Sequence, residues 1–232
     1  MVSRPDSLPS YSDFAMLEKY LQKVEFDSLE DFQKNFKIIV PDNFNFGYDV
    51  VDEWARTNPD KLALLWTNDE GKEQRYTFAD MKRKSDQVAS FYQTLGIGRG
   101  DCVMMMLKRR IEFWFSIVAL HKIGAVAIPA THLLTPKDLI YRANSAKIKM
   151  IVCADEPIMI QHVNDCLKDS PTVKVLVATG SYNKDGWLSM DEGMKNAPEF
   201  VRPAHVNDNH DISLLYFTSG SSGNPKMVAH NF

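Results

Sequence analysis

The chain has 232 residues, of which 44% are hydrophobic and 25% are charged, and its formal net charge is −3. These fractions are ordinary for a globular protein and allow a sizeable core without disulfides or metals to hold it together. The slightly acidic balance argues against a nucleic-acid partner, because such proteins present a basic surface.

Cysteine usage and hydropathy restrict the compartment. The three cysteines, Cys102, Cys153 and Cys166, show no CxxC spacing, which argues against a disulfide framework or a zinc site and favours a reducing, cytoplasmic location. The N-terminus lacks the apolar stretch of a secretory signal. The longest apolar run, around residues 111–120, is too short to span a bilayer, so we expect no membrane span.

The first 45 residues differ in pattern from the remainder of the chain. From Tyr11 to Phe36, apolar residues recur at helical spacing, and Ser12 and Ser28 are both candidate N-caps. Pro41 ends this pattern. We therefore predict a helical lead-in over residues 1–45 and a main domain over residues 46–232.

The main domain begins with a helix, a hairpin and a second helix. Asp49–Thr57 is typical of a helix, and two apolar runs, Leu62–Trp66 and Gln74–Phe78, flank a turn sequence and predict a β-hairpin. Residues 78–95 then place Met81, Val88, Phe91, Tyr92 and Leu95 on one side of an amphipathic helix.

Strand-length apolar runs then alternate with helical patterns. The predicted strands are Cys102–Leu107, Ala125–Pro129, Lys149–Cys153 and Val173–Val177; the predicted helices between them are Ile111–Ile123, Pro136–Ala146 and Ile158–Lys168. The strands are apolar throughout, as expected when both faces of a parallel sheet are covered. The pattern predicts an α/β fold of stacked βαβ units, with a mainly parallel sheet covered by helices. Residues 178–210 do not continue this alternation of strands and helices, and they predict a loop-rich connection with one short helix.

The last segment contains the residues with recognisable chemistry. A strand, Ile212–Phe217, leads into hydroxyl and glycine residues and a lysine, and a second strand is predicted over Met227–Ala229. The candidate nucleotide-binding residues are Thr218, Ser219, Gly220, Ser221, Ser222, Gly223 and Lys226. Glycines allow close backbone approach, hydroxyls donate hydrogen bonds, and a lysine neutralises phosphate oxygens. With no acidic residue among them, the set suits a polyphosphate.

Other interpretations of the glycine-rich segments are weaker. A flexible Ser/Gly linker is the alternative, but a linker needs neither tight flanking strands nor a terminal Pro-Lys. The spacing is not that of the NTPase P-loop, GxxxxGK[ST]. The cluster Gly96–Gly100 follows a helix rather than a strand, which indicates a helix C-cap and turn instead of a dinucleotide site.

The segment TSGSSGNPK resembles the TSG[TS][TS]GxPK signature of adenylate-forming enzymes, a superfamily of acyl-CoA synthetases, luciferases and adenylation domains. Within that superfamily the chain is similar to medium-chain acyl-CoA synthetases from about Phe44 onward. The residues that support this branch are Phe44-Asn45-Phe46, Lys72-Glu73, Trp114, Thr135–Arg142 and Asp185–Leu188.

The resemblance implies an acid–thiol ligase that uses ATP, Mg²⁺ and CoA to convert a carboxylic acid, expected to be a fatty acid, into an acyl-adenylate and then acyl-CoA. It implies that Thr218–Lys226 contacts the β- and γ-phosphates, and that this chain is an incomplete, by itself inactive N-terminal portion containing no catalytic residue and no metal ligand. Its partners would be small-molecule substrates, and an uncovered sheet edge would favour a homodimer. A non-catalytic scaffolding module and an amino-acid- or aryl-acid-adenylating enzyme are the alternatives.

Histidines are not needed for this chemistry. His121, His132 and His230 have no recognisable carboxylate partner in the sequence, so we expect each to be structural or exposed rather than an acid–base group.

Overall fold

The computed structural model describes residues 16–219 and 223–232, and the chain divides into two compact units, Met1–Phe44 and Asn45–Phe232. In the first unit, a 3₁₀ turn spans Leu17–Lys19 and helix α1 spans Leu29–Asn35. The Ser28 side chain accepts a hydrogen bond from the Asp31 amide and caps α1, as its position in the sequence predicts. The candidate cap Ser12 lies outside the described residues.

The second unit begins with a helix of mixed type. The Asn45 side chain accepts a hydrogen bond from the Gly47 amide and starts a π-helix over Phe46–Asp52, which continues as helix α2, Glu53–Thr57. The helix therefore begins three residues before the predicted start at Asp49. Asn45 determines where the helix begins, because its side chain accepts a hydrogen bond from an amide that has no partner within the helix.

The predicted hairpin and the long amphipathic helix are confirmed. Strands β1, Leu62–Thr67, and β2, Glu73–Thr77, pair antiparallel in a two-stranded sheet of their own. Helix α3 spans Phe78–Thr94 and starts with a capping box in which Thr77 and Asp80 bond each other's backbone.

The central sheet has seven strands, and all neighbours pair parallel except the last two. The strands are β3 (Cys102–Met106), β4 (Val126–Pro129), β5 (Met150–Cys153), β6 (Val175–Ala178), β7 (Trp187–Ser189), β8 (Ile212–Thr218) and β9 (Lys226–Asn231), in the order β7-β6-β5-β3-β4-β8-β9. The predicted α/β fold with a mainly parallel sheet is confirmed. Strand β7 was not predicted, because it is three residues long and depends on pairing with β6.

Helices cover both faces of this sheet. They are α4 (Glu112–Lys122), α5 (Pro136–Ser145), α6 (Pro157–Cys166) and α7 (Met190–Asn196). One core joins α3, α4 and α7 to side chains such as Val103 and Met105, and the other joins α5 and α6 to Met104 and Met106. The alternation along β3 follows from the two-residue period of a strand. Among the described residues, no helix combines the length and apolar character needed to cross a membrane.

The connections that follow β3 and β4 pass to opposite faces of the sheet. The chain leaves β3 toward α4 on one face and leaves the neighbouring β4 toward α5 on the other. In open α/β sheets, ligands bind outside the carboxyl ends of strands at such a point. Strand β8 runs parallel to β4, so the segment after Thr218 emerges at this same edge.

A candidate polyphosphate-binding hairpin

The candidate site is the turn between strands β8 and β9. The two strands pair antiparallel, and Thr218 opposite Lys226 is the last pair before residues 219–225. Thr218 Oγ1 lies 3.5 Å from the Lys226 carbonyl oxygen across that pair. The sheet therefore holds the hydroxyl and the lysine as neighbours, although they are eight positions apart in the sequence.

The described loop residues are open to solvent and present donors. Thr218, Ser219, Gly223 and Lys226 are all exposed. Gly223 has φ +104°, a backbone conformation that L side chains rarely adopt, so glycine is required for the turn. The other predicted site residues, Gly220, Ser221 and Ser222, lie outside the described residues.

Helix α5 holds the base of the hairpin. The Tyr141 hydroxyl donates a hydrogen bond to the Pro225 carbonyl oxygen at 3.0 Å. The Tyr141 ring meets the Phe217 ring edge-on, with centroids 6.3 Å apart, and the Arg142 guanidinium carbon lies 5.3 Å from the Phe217 centroid. These contacts hold Phe217 near the end of β8 and Pro225 directly before Lys226.

The electrostatic character of the hairpin fits an anion and does not fit a bare metal ion. Residues 212–232 contain no aspartate or glutamate. In the described parts of the chain, no group of three or more His, Cys, Asp or Glu side chains converges on a point. Mg²⁺ prefers carboxylate oxygen together with phosphate, so these residues would not hold it alone.

The three histidines behave as the sequence predicts. His132 and His230 are exposed, and the His230 ring meets the edge of Tyr216. His121 packs between the rings of Phe46 and Phe232. Neither of its nitrogens has a hydrogen-bond partner among the described residues. Burial lowers the pKa of His121 to about 4, so the ring is neutral near pH 7.

A buried charge cluster at the C-terminal end of α4 was not predicted from the sequence. Lys122 is fully buried, and its ammonium lies 2.6 Å from a carboxylate oxygen of Asp52 and 2.6 Å from one of Asp86. Burial raises the pKa of Asp52, and Lys122 opposes that shift. Asp52 and Asp86 also line a cavity of about 750 Å³ beside α3, which does not include the hairpin.

Comparisons with known proteins agree with this fold and motif. The family model described as "AMP-binding enzyme" matches residues 51–232, and the chain belongs to this family of adenylate-forming enzymes. A solved anthranilate CoA ligase, AuaEII in complex with anthranoyl-AMP, shares the fold with a TM-score of 0.73 and 23% identity over 83% of this chain and 35% of its own.

Curated relatives are acyl-coenzyme A synthetases. The mitochondrial ACSM3 of Homo sapiens is 34% identical over 88% of this chain and 36% of its own length. The mitochondrial ACSM5 of Rattus norvegicus is 33% identical over 83% of this chain and 34% of its own. The chain thus spans about a third of the length of these relatives.

Proposed function

We propose that this chain is the polyphosphate-binding portion of an AMP-forming acyl-CoA synthetase, an acid–thiol ligase. The observation that supports this most directly is the β8–β9 hairpin, which places Thr218, Ser219, Gly223 and Lys226 together at the carboxyl edge of the sheet. Membership of the AMP-binding family and the names of the curated relatives support the same activity.

In the proposed reaction, the carboxylate oxygen of the acid attacks the α-phosphorus of Mg·ATP. The bond to the bridging oxygen breaks and pyrophosphate leaves with its electron pair. The CoA thiol, losing its proton, then attacks the acyl carbon of the adenylate and releases AMP. Magnesium enters as part of the nucleotide substrate, which agrees with the absence of acidic residues in the hairpin.

The contribution of this chain is to bind and orient the leaving group. Charge accumulates on pyrophosphate as the bond breaks, so fixed donors and a cation aimed at it stabilise the transition state. The Lys226 ammonium and the Thr218 and Ser219 hydroxyls are the described groups suited to the β- and γ-phosphates. We assign no catalytic acid or base to this chain.

The substrate acid is proposed to be aliphatic, as the resemblance to medium-chain acyl-CoA synthetases implies; the names of the curated relatives specify an acyl group and not its kind. The test is ATP–pyrophosphate exchange by the full-length protein with straight-chain and aryl carboxylic acids. Exchange that depends on an aliphatic acid, followed by acyl-CoA formation when CoA is added, is the expected result. Exchange with aryl or amino acids alone would reassign the substrate. No exchange with any acid would remove the ligase proposal and favour a non-catalytic module.

Three further assignments are proposals. The boundary between residues 1–45 and 46–232 is supported by the division of contacts after Phe44. A homodimer is supported by strand β9, which is exposed along its length, including Met227 and Val228; sedimentation equilibrium measures the oligomeric state.

A cytoplasmic location is supported by the free thiols, whereas the relatives are named as mitochondrial. Imaging of the full-length protein decides between these compartments.

A further inference from the structure

Helix α5 provides a rigid support beside the hairpin. A capping box between Thr135 and Asp138 fixes its start, with the Asp138 carboxylate accepting from the Thr135 amide at 3.0 Å. Leu139 and Ala143 are fully buried in the core on this face of the sheet. Side chains that α5 presents to the hairpin are therefore held in place by the main core.

Tyr141 contacts the hairpin at the peptide unit that precedes Lys226. Its hydroxyl donates to the Pro225 carbonyl oxygen at 3.0 Å, and that carbonyl belongs to the peptide plane that ends at the Lys226 nitrogen. The proline ring already fixes the φ angle of Pro225. A hydrogen bond to its carbonyl therefore fixes the remaining freedom of that plane, and with it the direction in which Lys226 leaves β9.

A second contact holds the opposite strand. The Tyr141 ring packs edge-on against Phe217, and the Arg142 guanidinium lies 5.3 Å from the centre of the same ring. Arg142 is itself held by its bond to the Asp138 carbonyl oxygen at 3.2 Å. Phe217 directly precedes Thr218 and Pro225 directly precedes Lys226, so α5 contacts the hairpin at the residue before each member of the Thr218–Lys226 pair.

We propose that Tyr141 is a positioning residue for the phosphate-binding hairpin: its hydroxyl orients Lys226 toward the nucleotide without touching the nucleotide itself. This inference rests on the proposed ligase function. Loss of the hydroxyl weakens the contact of Lys226 with the β- and γ-phosphates and leaves the fold of the sheet intact. Without the hydroxyl, Lys226 must be ordered when Mg·ATP binds, and this cost stays the same through bond cleavage, so it raises KM more than it lowers kcat.

The test uses Tyr141→Phe in the full-length enzyme, which keeps the ring and removes one hydrogen bond. A net hydrogen bond of ordinary strength predicts a rise of about fivefold in the KM for Mg·ATP in pyrophosphate exchange, with kcat changed less than about twofold. The matched control is Tyr182→Phe, another half-buried tyrosine that packs on the same core but has no contact with the hairpin among the described residues. Its KM should equal that of the wild type.

A double-mutant cycle separates positioning from a general structural effect. In a Lys226→Ala background, Tyr141→Phe should change KM by less than about twofold, because its effect acts through the missing ammonium. A full fivefold change in that background would overturn the proposal, as would an unchanged KM in the single variant.

Amide hydrogen exchange tests the contact independently of activity. In Tyr141→Phe, peptides covering residues 223–228 should exchange about fivefold faster, whereas peptides from β3 should not change. Unchanged exchange at 223–228 refutes the positioning role, whatever the kinetics. If the wild type shows no pyrophosphate exchange with any acid, the ligase function fails, and hydrogen exchange still decides whether Tyr141 holds the hairpin.

Discussion

Replacing Lys122 by methionine tests the buried charge cluster that joins the π-helix, α3 and α4. The lysine has no exposed surface, and its two partners, Asp52 and Asp86, have side chains 17% and 19% exposed. Methionine keeps most of the stem volume, so the change removes the ammonium and leaves two mostly buried carboxylates facing each other. Asp86 still pairs with Lys82, so the dominant effect is the buried carboxylate of Asp52 left without its bonded cation, rather than a cavity.

Breaking a buried ion pair by removing one partner costs about 3–5 kcal/mol. Because both carboxylates keep some contact with solvent, we expect the lower end, about 3 kcal/mol. For a chain of this size, that corresponds to a fall of about 6–12 °C in the melting temperature. Thermal unfolding followed by near-ultraviolet circular dichroism at pH 7 measures it.

The control is Lys82→Met, because Lys82 also bonds Asp86 but is 46% exposed. An exposed ion pair contributes no more than about 1 kcal/mol, so this variant should melt within a few degrees of the wild type. If Lys122→Met melts at the same temperature as the wild type, or as Lys82→Met, the buried ammonium does not stabilise the fold. Adding Asp52→Asn and Asp86→Asn to Lys122→Met should restore much of the lost stability.

The pH dependence of stability is a second measurement on Lys122→Met. Burial already raises the pKa of Asp52 in the folded state, and loss of Lys122 raises it further, since Lys122 opposes the shift. A carboxyl group with a raised folded pKa binds more protons when folded, so its penalty is present at high pH and lost as pH falls through that pKa. The stability gap between Lys122→Met and the wild type should therefore narrow from pH 7 toward pH 5. A gap that widens contradicts this assignment.

Two further predictions concern stability. Burial lowers the folded pKa of His121 to about 4 from 6.5, so the unfolded state binds its proton first and stability falls by about 3 kcal/mol as pH drops through that window. His121→Phe should lose this dependence in pH-resolved denaturant titrations, and an unchanged profile would contradict it. Gly124 has φ +68°, and an added Cβ would lie 2.1 Å from the Val206 carbonyl oxygen. Gly124→Ala should therefore cost at least about 3 kcal/mol in melting experiments, whereas Gly98→Ala, which has open space, should melt like the wild type; equal melting of both variants refutes the clash.

The sequence was sufficient for elements whose cause is local. Strand β3 follows from a run of apolar residues and helix α3 from apolar residues at helical spacing. The cap Thr135 can be predicted because its hydrogen bond reaches a residue only three positions away. Strand β7 was missed because only pairing with β6 makes three residues a strand. The π-helix could not be foreseen, since periodicity does not distinguish it from an α-helix.

The candidate site, too, could be predicted only in part from the sequence. The proposed phosphate-binding role of Thr218, Gly223 and Lys226 could be predicted from their types and spacing. Their support was not, because Tyr141 is 84 positions from Pro225 and its role depends on where α5 packs. Likewise, Lys122 is the last residue of an apolar helix and resembles an ordinary basic residue at a helix end. Its carboxylate partners lie 70 and 36 positions away, and only the fold brings them together.

The β8–β9 hairpin is proposed to bind the triphosphate of ATP through Lys226. The most direct measurement compares ATP–pyrophosphate exchange by full-length wild type, Lys226→Ala and Lys137→Ala, the last being an exposed lysine on α5. Loss of the Lys226 ammonium should cost about 3–4 kcal/mol in the adenylation step, a fall of several hundredfold, while Lys137→Ala exchanges like the wild type. Wild-type exchange rates in Lys226→Ala would show that the hairpin does not bind the triphosphate through Lys226.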